Sequence, residues 1–220
     1  MVAAEALSRF ATEPGRSPDA WFAEAAAVGL GVELELAAIR AALKSLDALP
    51  AGVRLSLNVS PEALTAPELV EALATTPGRR LALELTEHAP VEDYAALGAP
   101  LASLRARGVQ LMIDDAGAGF ASLRHVLGLS PDVIKLDLSL TRDIDSDPVR
   151  RALAASLVAF AREIGATIVA EGIETRGELE TLRALGVTHG QGYYLARPLS
   201  GPVPERVTLG DAAPAPVRSK

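Results

Sequence analysis

Cysteine is absent from this chain of 220 residues, and its absence excludes three kinds of chemistry. Without thiols the chain forms no disulfide, has no thiolate nucleophile and builds no zinc site on sulfur ligands. Aromatic residues are also scarce, at 4%, which argues against stacking platforms for single-stranded nucleic acid. The formal net charge of -7 further disfavours a broad surface for DNA, RNA or membranes.

Long apolar runs are lacking as well. The longest apolar-looking stretch, residues 25–43, is interrupted by Glu33, Glu35 and Arg40, and we predict a helix there. No segment is expected to span a bilayer. The N-terminus has neither the basic region nor the apolar core of a signal peptide. The sequence therefore predicts a single cytoplasmic domain that is long enough to bury a core.

What the sequence does contain is a regular alternation of strand and helix patterns. Strands are predicted at residues 2–7, 55–59, 81–85, 109–113, 133–138, 167–170 and 189–195. Ser17-Pro18, Ser60-Pro61 and Asp147-Pro148 predict helix starts, because a capping side chain precedes proline at the first helical position. Nearly continuous apolar strands separated by helices are typical of a parallel sheet covered on both faces. Residues 200–220 are rich in Pro, Gly and charge and predict a flexible tail.

Polar side chains stand at the ends of the predicted strands. These residues are Glu5, Asn58, Glu84, Asp114, Asp115, Lys135, Asp137, Glu171 and Glu174. A carboxylate or amide that ends strand after strand is the arrangement of a catalytic site at the C-terminal mouth of a parallel barrel. Hard oxygen ligands suit Mg²⁺ or Mn²⁺ better than softer metals. An acidic protein binds phosphates when such metals invert the local charge.

Two of these residues interrupt predicted apolar strands. A charged side chain that is buried in such a strand requires a partner. Glu84 lies within residues 81–85, where a carboxylate needs a partner or a metal, and Lys135 between Ile134 and Leu136 needs a counter-charge. The other positions have simpler interpretations that the residues alone leave open. Asn58 would cap the next helix, Glu171 and Glu174 would be first-turn glutamates, and Glu5 would be an ordinary exposed side chain.

Six short motifs together resemble the EAL domain family over residues 1–199. They are Glu5-Ala6-Leu7, Leu57-Asn58-Val59-Ser60, Glu84-Leu85-Thr86-Glu87, Asp114-Asp115, Lys135-Leu136-Asp137 and Ala170-Glu171-Gly172-Ile173-Glu174, in the order of the family. The resemblance implies an α/β fold, a TIM-type (β/α)8 barrel, and two Mg²⁺ or Mn²⁺ ions that serve hydrolysis of cyclic-di-GMP to linear pGpG. The chain begins after the family's first, antiparallel strand, so we expect a barrel that is one strand short.

The resemblance also assigns roles to residues. Glu5, Asn58 and Glu84 would bind the first metal, Asp114 would bridge both metals, and Asp115 would bind the second. Glu171 would be a ligand of the second metal or the base for the attacking water, and Lys135 would stabilise phosphate charge or position that water. The substrate-binding residues would be Arg9, Asp137, Glu174 and Gln191. Glu87 would order the loop that follows Asp115, in which Ala116, Ala118, Phe120 and Ala121 depart from the family pattern.

The resemblance further implies cyclic-di-GMP as the substrate rather than a DNA or RNA polymer, a homodimer, and regulatory domains upstream in a longer protein. Three alternatives stay open. The chain would be a receptor that binds cyclic-di-GMP without hydrolysing it, or another metal-dependent barrel that acts on a small carboxylate or carbonyl substrate. A purely structural interaction domain is the third, and it leaves the ordered carboxylates unexplained.

Overall fold

The computed structural model describes residues 2–11, 15–85, 91, 93–116, 120–199 and 203–204. It divides into an N-terminal unit, Val2–Leu111, and a C-terminal unit that begins at Met112. Glu87 lies outside the described residues. So does the predicted tail, apart from residues 203 and 204.

The N-terminal unit is built on three parallel strands. They are β1 (Ala3–Glu5), β2 (Arg54–Val59) and β3 (Leu81–Leu85). The pairing of β1 with β2 places Glu5 beside Ser56, and the pairing of β2 with β3 places Asn58 beside Glu84. Every residue of β3 is buried, as expected of a parallel strand that is covered on both faces. β1 is shorter than the predicted strand 2–7.

Helices connect these strands. They are α1 (Pro18–Ala27), α2 (Gly31–Leu43), α3 (Pro61–Thr65), α4 (Pro67–Leu73) and α5 (Tyr94–Ala106), with short 3-10 turns at Leu46–Ala48 and Gly78–Arg80. The predicted caps are present, since Ser17 accepts a hydrogen bond from Ala20 N and Ser60 accepts one from Ala63 N. The prediction of one helix over residues 25–43 is wrong. Gly29 has φ 78°, a conformation that ends a right-handed helix, and α2 begins two residues later.

The C-terminal unit contains four strands in parallel pairs. They are β4 (Gln110–Ala116, whose first two residues belong to the N-terminal unit), β5 (Val133–Leu136), β6 (Thr167–Ala170) and β7 (His189–Gly190). β5 pairs with β4 and β6, and β6 pairs with β7. Apolar side chains such as Ile113, Ile134, Leu136 and Ile168 are buried and form the core of this unit.

Its helices are α6 (Phe120–Leu129), α7 (Leu138–Thr141), α8 (Pro148–Glu163) and α9 (Arg176–Ala184). The start of α8 is as predicted, because Asp147 accepts hydrogen bonds from Val149 N and Arg150 N. Two predicted strands are too long. β5 ends before Asp137, which caps α7 by accepting a hydrogen bond from Ser139 N. After Gly190 the chain turns, with Leu195 N and Ala196 N both donating to Gly192 O.

Within the described residues, no helix combines the length and the apolar character needed to cross a membrane.

Candidate active site

Four polar side chains lie on neighbouring strands of the N-terminal unit, and we call Glu5, Ser56, Asn58 and Glu84 the N-terminal cluster. Asn58 Nδ2 donates a hydrogen bond of 3.3 Å to Glu5 Oε1. Asn58 and Glu84 are partners in the parallel register, and so are Glu5 and Ser56. The register therefore brings together three side chains that the sequence predicted as ligands of one metal.

Glu84 is a deeply buried carboxylate, only 1% exposed. Ser56 Oγ donates a hydrogen bond of 2.8 Å to Glu84 Oε2, and Ser56 is itself buried. A buried carboxylate is stabilised by each donor that reaches it. Ser56 therefore orients Glu84, a function that the sequence analysis missed. The pattern contained a signal, because Ser56 and Asn58 are two residues apart and lie on the same face of β2.

The end of β2 is fixed by a second glutamate. Glu35 Oε2, on α2, accepts a hydrogen bond of 2.8 Å from Ser60 N. Burial raises the pKa of Glu35, while its hydrogen bonds to Ser60 oppose that shift. Ser60 is the N-cap of α3, so the interpretation of Asn58 as the helix cap is wrong. The side chain of Asn58 instead donates to Glu5.

A buried lysine organises the C-terminal cluster, which comprises Asp114, Lys135, Glu171 and Gln191. Lys135 is 3% exposed, and its Nζ lies 3.0 Å from Asp114 Oδ1 and 2.7 Å from Glu171 Oε1. These two carboxylates are the counter-charges that the sequence required. Gln191 Nε2 donates a hydrogen bond of 2.6 Å to the same Glu171 oxygen. Glu171 is thus held by one charged donor and one neutral donor.

The strand that carries Asp114 is irregular where its two aspartates lie. The register between β4 and β5 shifts between Ile113 and Ala116. Asp115 has φ 52°, and Asp114 Oδ1 accepts a hydrogen bond from Asp115 N. A regular strand directs consecutive side chains to opposite faces, and a bulge of this kind breaks that alternation. Both aspartates are half-buried.

The segment after β6 carries Glu171 outside any helix. Its backbone is anchored by Glu171 N donating to Leu136 O and by Ile173 N donating to Gln191 O. Gly172 has φ 63°, a conformation that favours glycine, and a Cβ added there would meet the Leu138 side chain, which would have to move. Because α9 begins at Arg176, the interpretation of Glu171 and Glu174 as first-turn glutamates is wrong.

The other predicted substrate-binding residues make contacts with nearby parts of the chain. The exposed guanidinium of Arg9 donates to Ser8 O. Asp137 caps α7, and Glu174 N donates to Glu178 Oε2. Glu178 is a second residue that sequence reasoning missed. The spacing Thr175-x-x-Glu178 is a capping-box signature and was the available signal.

The donor sets of both clusters fit hard divalent cations. Each cluster offers carboxylate oxygens, and the N-terminal cluster adds the Asn58 amide oxygen. Mg²⁺ and Mn²⁺ prefer oxygen ligands of these types. Carboxylate oxygens of Asp114 and Glu171 lie within 4.8 Å of each other. The lysine between them reduces their mutual repulsion. A cation bound to these residues would do the same.

Comparisons with known proteins show which family this chain resembles. The sequence model of the EAL domain matches residues 1–198. The chain is 34% identical over 153 residues to the cyclic di-GMP phosphodiesterase PA2567 of Pseudomonas aeruginosa, a match covering 67% of this chain and 26% of that protein. It is 29% identical to the probable cyclic di-GMP phosphodiesterase PdeG of Escherichia coli, covering 89% of this chain and 41% of that protein. The chain thus spans well under half the length of these relatives.

Solved structures with a similar fold include two complexes with c-di-GMP. The complex of the PaMucR phosphodiesterase with c-di-GMP superposes with a TM-score of 0.78 at 29% identity, covering 90% of this chain and 85% of that one. A manganese and c-di-GMP complex of Klebsiella pneumoniae BlrP1 superposes with a TM-score of 0.73 at 32% identity, covering 88% and 50%. The predicted fold class, the TIM-type α/β architecture of this family, is confirmed.

Proposed function

This chain belongs to the EAL domain family, and from this membership and its two polar clusters we propose that it hydrolyses one phosphodiester bond of cyclic-di-GMP to give linear pGpG. The observation that carries the proposal is the arrangement around Glu171. A buried ammonium at 2.7 Å and an amide at 2.6 Å both bind Glu171 Oε1. A base that removes a proton from water must be held in a fixed orientation.

The chain's own residues supply the acid–base and electrostatic parts of the reaction. Glu171 accepts the proton of the attacking water. Lys135 is a buried positive charge that stabilises the negative charge developing on the phosphate oxygens. Gln191 prevents the Glu171 carboxylate from rotating away. Arg9, Asp137 and Glu174 remain proposed contacts to the substrate.

Two divalent cations, Mg²⁺ or Mn²⁺, are part of the proposal. Glu5, Asn58 and Glu84 would hold one, and Asp115 with Glu171 the other, with Asp114 as a ligand of both. When bound, these ions supply Lewis-acid polarisation of the phosphodiester and of water. The manganese and c-di-GMP complex of the related Klebsiella protein supports this choice of ions. The loop-ordering role of Glu87, a homodimer, a cytoplasmic location and upstream regulatory domains remain predictions.

The proposed reaction is tested by product analysis. The purified chain is incubated with cyclic-di-GMP and Mn²⁺, with and without EDTA, and the nucleotides are separated by anion exchange. We expect pGpG to form only in the absence of EDTA. Binding of cyclic-di-GMP without any product would identify a receptor and overturn hydrolysis. Neither binding nor product would exclude this substrate and favour a different metal-dependent barrel.

A further inference from the structure

Glu178 is a buried carboxylate that the proposed reaction does not use. It is the third residue of α9 and is 4% exposed. Its Oε1 accepts a hydrogen bond of 3.1 Å from Asp143 N. Its Oε2 accepts hydrogen bonds of 2.8 Å from Glu174 N and 2.9 Å from Thr175 N. Glu178 therefore accepts three backbone hydrogen bonds and forms a junction between the chain segments that donate them.

The start of a helix requires only part of this arrangement. In a capping box the third helical residue accepts from the N-cap backbone, and the N-cap hydroxyl accepts from the third residue. Thr175 and Glu178 make both of these bonds. The bonds from Glu174 N and Asp143 N are additional, and the bond from Asp143 N comes from 35 positions earlier in the chain. Capping therefore does not account for the position of this carboxylate.

The segments that Glu178 joins are those that follow β5 and β6. Asp143 lies just after α7, and α7 begins directly beyond the strand that carries Lys135. Glu174 and Thr175 end the segment that begins with Glu171 at the end of β6. Lys135 and Glu171 form the 2.7 Å ion pair of the C-terminal cluster. Glu178 thus links the two segments that continue from the two members of this pair.

We propose that Glu178 is a positioning residue that holds the 171–175 segment against the turn at Asp143 and thereby fixes Glu171 relative to Lys135. The inference rests on the proposed function, since it concerns the geometry of the proposed base. Outer groups that orient a catalytic or metal-binding side chain typically contribute about 10–100-fold to activity or metal affinity. The chemistry of the junction favours a carboxylate, because all three of its partners are donors and the side chain must only accept.

This requirement provides a discriminating substitution. In Glu178→Gln the amide oxygen still accepts from Glu174 N and Thr175 N, since glutamine supports a capping box. Its NH₂ group then faces Asp143 N–H, and the link across to that turn is lost. Thr175→Ala is the matched control, because it removes the capping hydroxyl and leaves the bonds to Glu178 Oε2 and Oε1 available. A helix-capping role and a positioning role of Glu178 therefore predict opposite orders of the kcat loss in the two variants.

The experiment measures kcat, KM and melting temperature for both variants with cyclic-di-GMP and Mn²⁺, together with amide hydrogen exchange at Asp143. We expect Glu178→Gln to lower kcat by about tenfold with little change in KM, and to accelerate exchange at Asp143. Thr175→Ala should lower the melting temperature and keep the kcat of the wild-type chain. Equal kcat in Glu178→Gln and the wild-type chain, or a loss of kcat that follows the melting temperature across both variants, overturns the proposal.

Failure of the proposed function is recognised separately. If the wild-type chain forms no pGpG, hydrolysis is refuted. The link between the two segments is then tested by amide hydrogen exchange at Asp143 alone. Faster exchange at Asp143 in Glu178→Gln but not in Thr175→Ala supports the link between the two segments. Unchanged exchange at Asp143 in Glu178→Gln overturns it.

Discussion

The two units orient their carboxylates in different ways. In the N-terminal cluster a neutral hydroxyl, Ser56 Oγ, donates to Glu84. In the C-terminal cluster the ammonium of Lys135 lies between Asp114 and Glu171. A hydroxyl donor orients a carboxylate and adds no charge. A buried ammonium orients the carboxylate and also balances its negative charge. From this difference we propose that the N-terminal cluster orients metal ligands, whereas the C-terminal cluster balances charge and accepts the proton of the attacking water.

The most severe test of this difference removes the buried charge. Lys135→Met leaves Asp114 and Glu171 close together without the ammonium between them. We expect hydrolysis to fall by about 100-fold or more and the free energy of unfolding to fall by about 3 kcal/mol. Lys44→Met, at an exposed lysine of the N-terminal unit, is the control and should change neither quantity. Wild-type activity in Lys135→Met would remove the distinction between the clusters.

A smaller effect is expected when the neutral donor to Glu171 is changed. Gln191 is exposed, so its substitution should alter activity without altering stability. We expect Gln191→Ala to lower kcat by about tenfold, because the Glu171 carboxylate loses the amide donor of Gln191. Gln191→Glu should lower kcat further, since it brings a second negative charge to Glu171 Oε1. The opposite order in steady-state kinetics would contradict an orienting role for Gln191.

Ser56→Ala tests the hydroxyl of the N-terminal cluster. The variant removes a donor from a carboxylate that is 1% exposed, and we expect it to lower the free energy of unfolding by about 1–2 kcal/mol. Urea denaturation measures this change. Ser45→Ala, whose exposed hydroxyl donates to Ala42 O, serves as the control and should stay within about 0.5 kcal/mol of the wild-type chain. Equal losses in both variants would show that Ser56 has no special relation to Glu84.

The smallest expected effect concerns pH and Glu35. Burial raises the pKa of Glu35 above its ordinary value of 4.5, so at pH values above 4.5 the folded state binds more protons at this site than the unfolded state. The contribution of Glu35 to stability is therefore present at low pH and is lost as pH rises through the folded-state pKa. Urea denaturation at pH 5 and pH 8 should show a smaller decrease in Glu35→Gln than in the wild-type chain. An identical decrease would exclude Glu35 as its source.

The sequence predicted the parallel strands and the need of Lys135 for counter-charges, because both follow from local apolar patterns. It did not predict the break at Gly29, since an isolated glycine in a helical pattern is usually tolerated. The lengths of β5 and β7 were overestimated because Asp137 and Gly192 begin turns within apolar stretches. The contacts between Ser56 and Glu84 and between Glu178 and Asp143 could not be predicted, because the partners lie 28 and 35 positions apart in the chain. Such pairings are set by strand register and tertiary packing.

The proposal that the N-terminal cluster and the C-terminal cluster are each required for hydrolysis is best examined through the Mn²⁺-dependent rate of pGpG formation in Glu84→Gln, in Glu171→Gln and in the wild-type chain. We expect EDTA-sensitive turnover in the wild-type chain and a loss of about 100-fold or more in each variant. Turnover at the wild-type rate in either variant would contradict it.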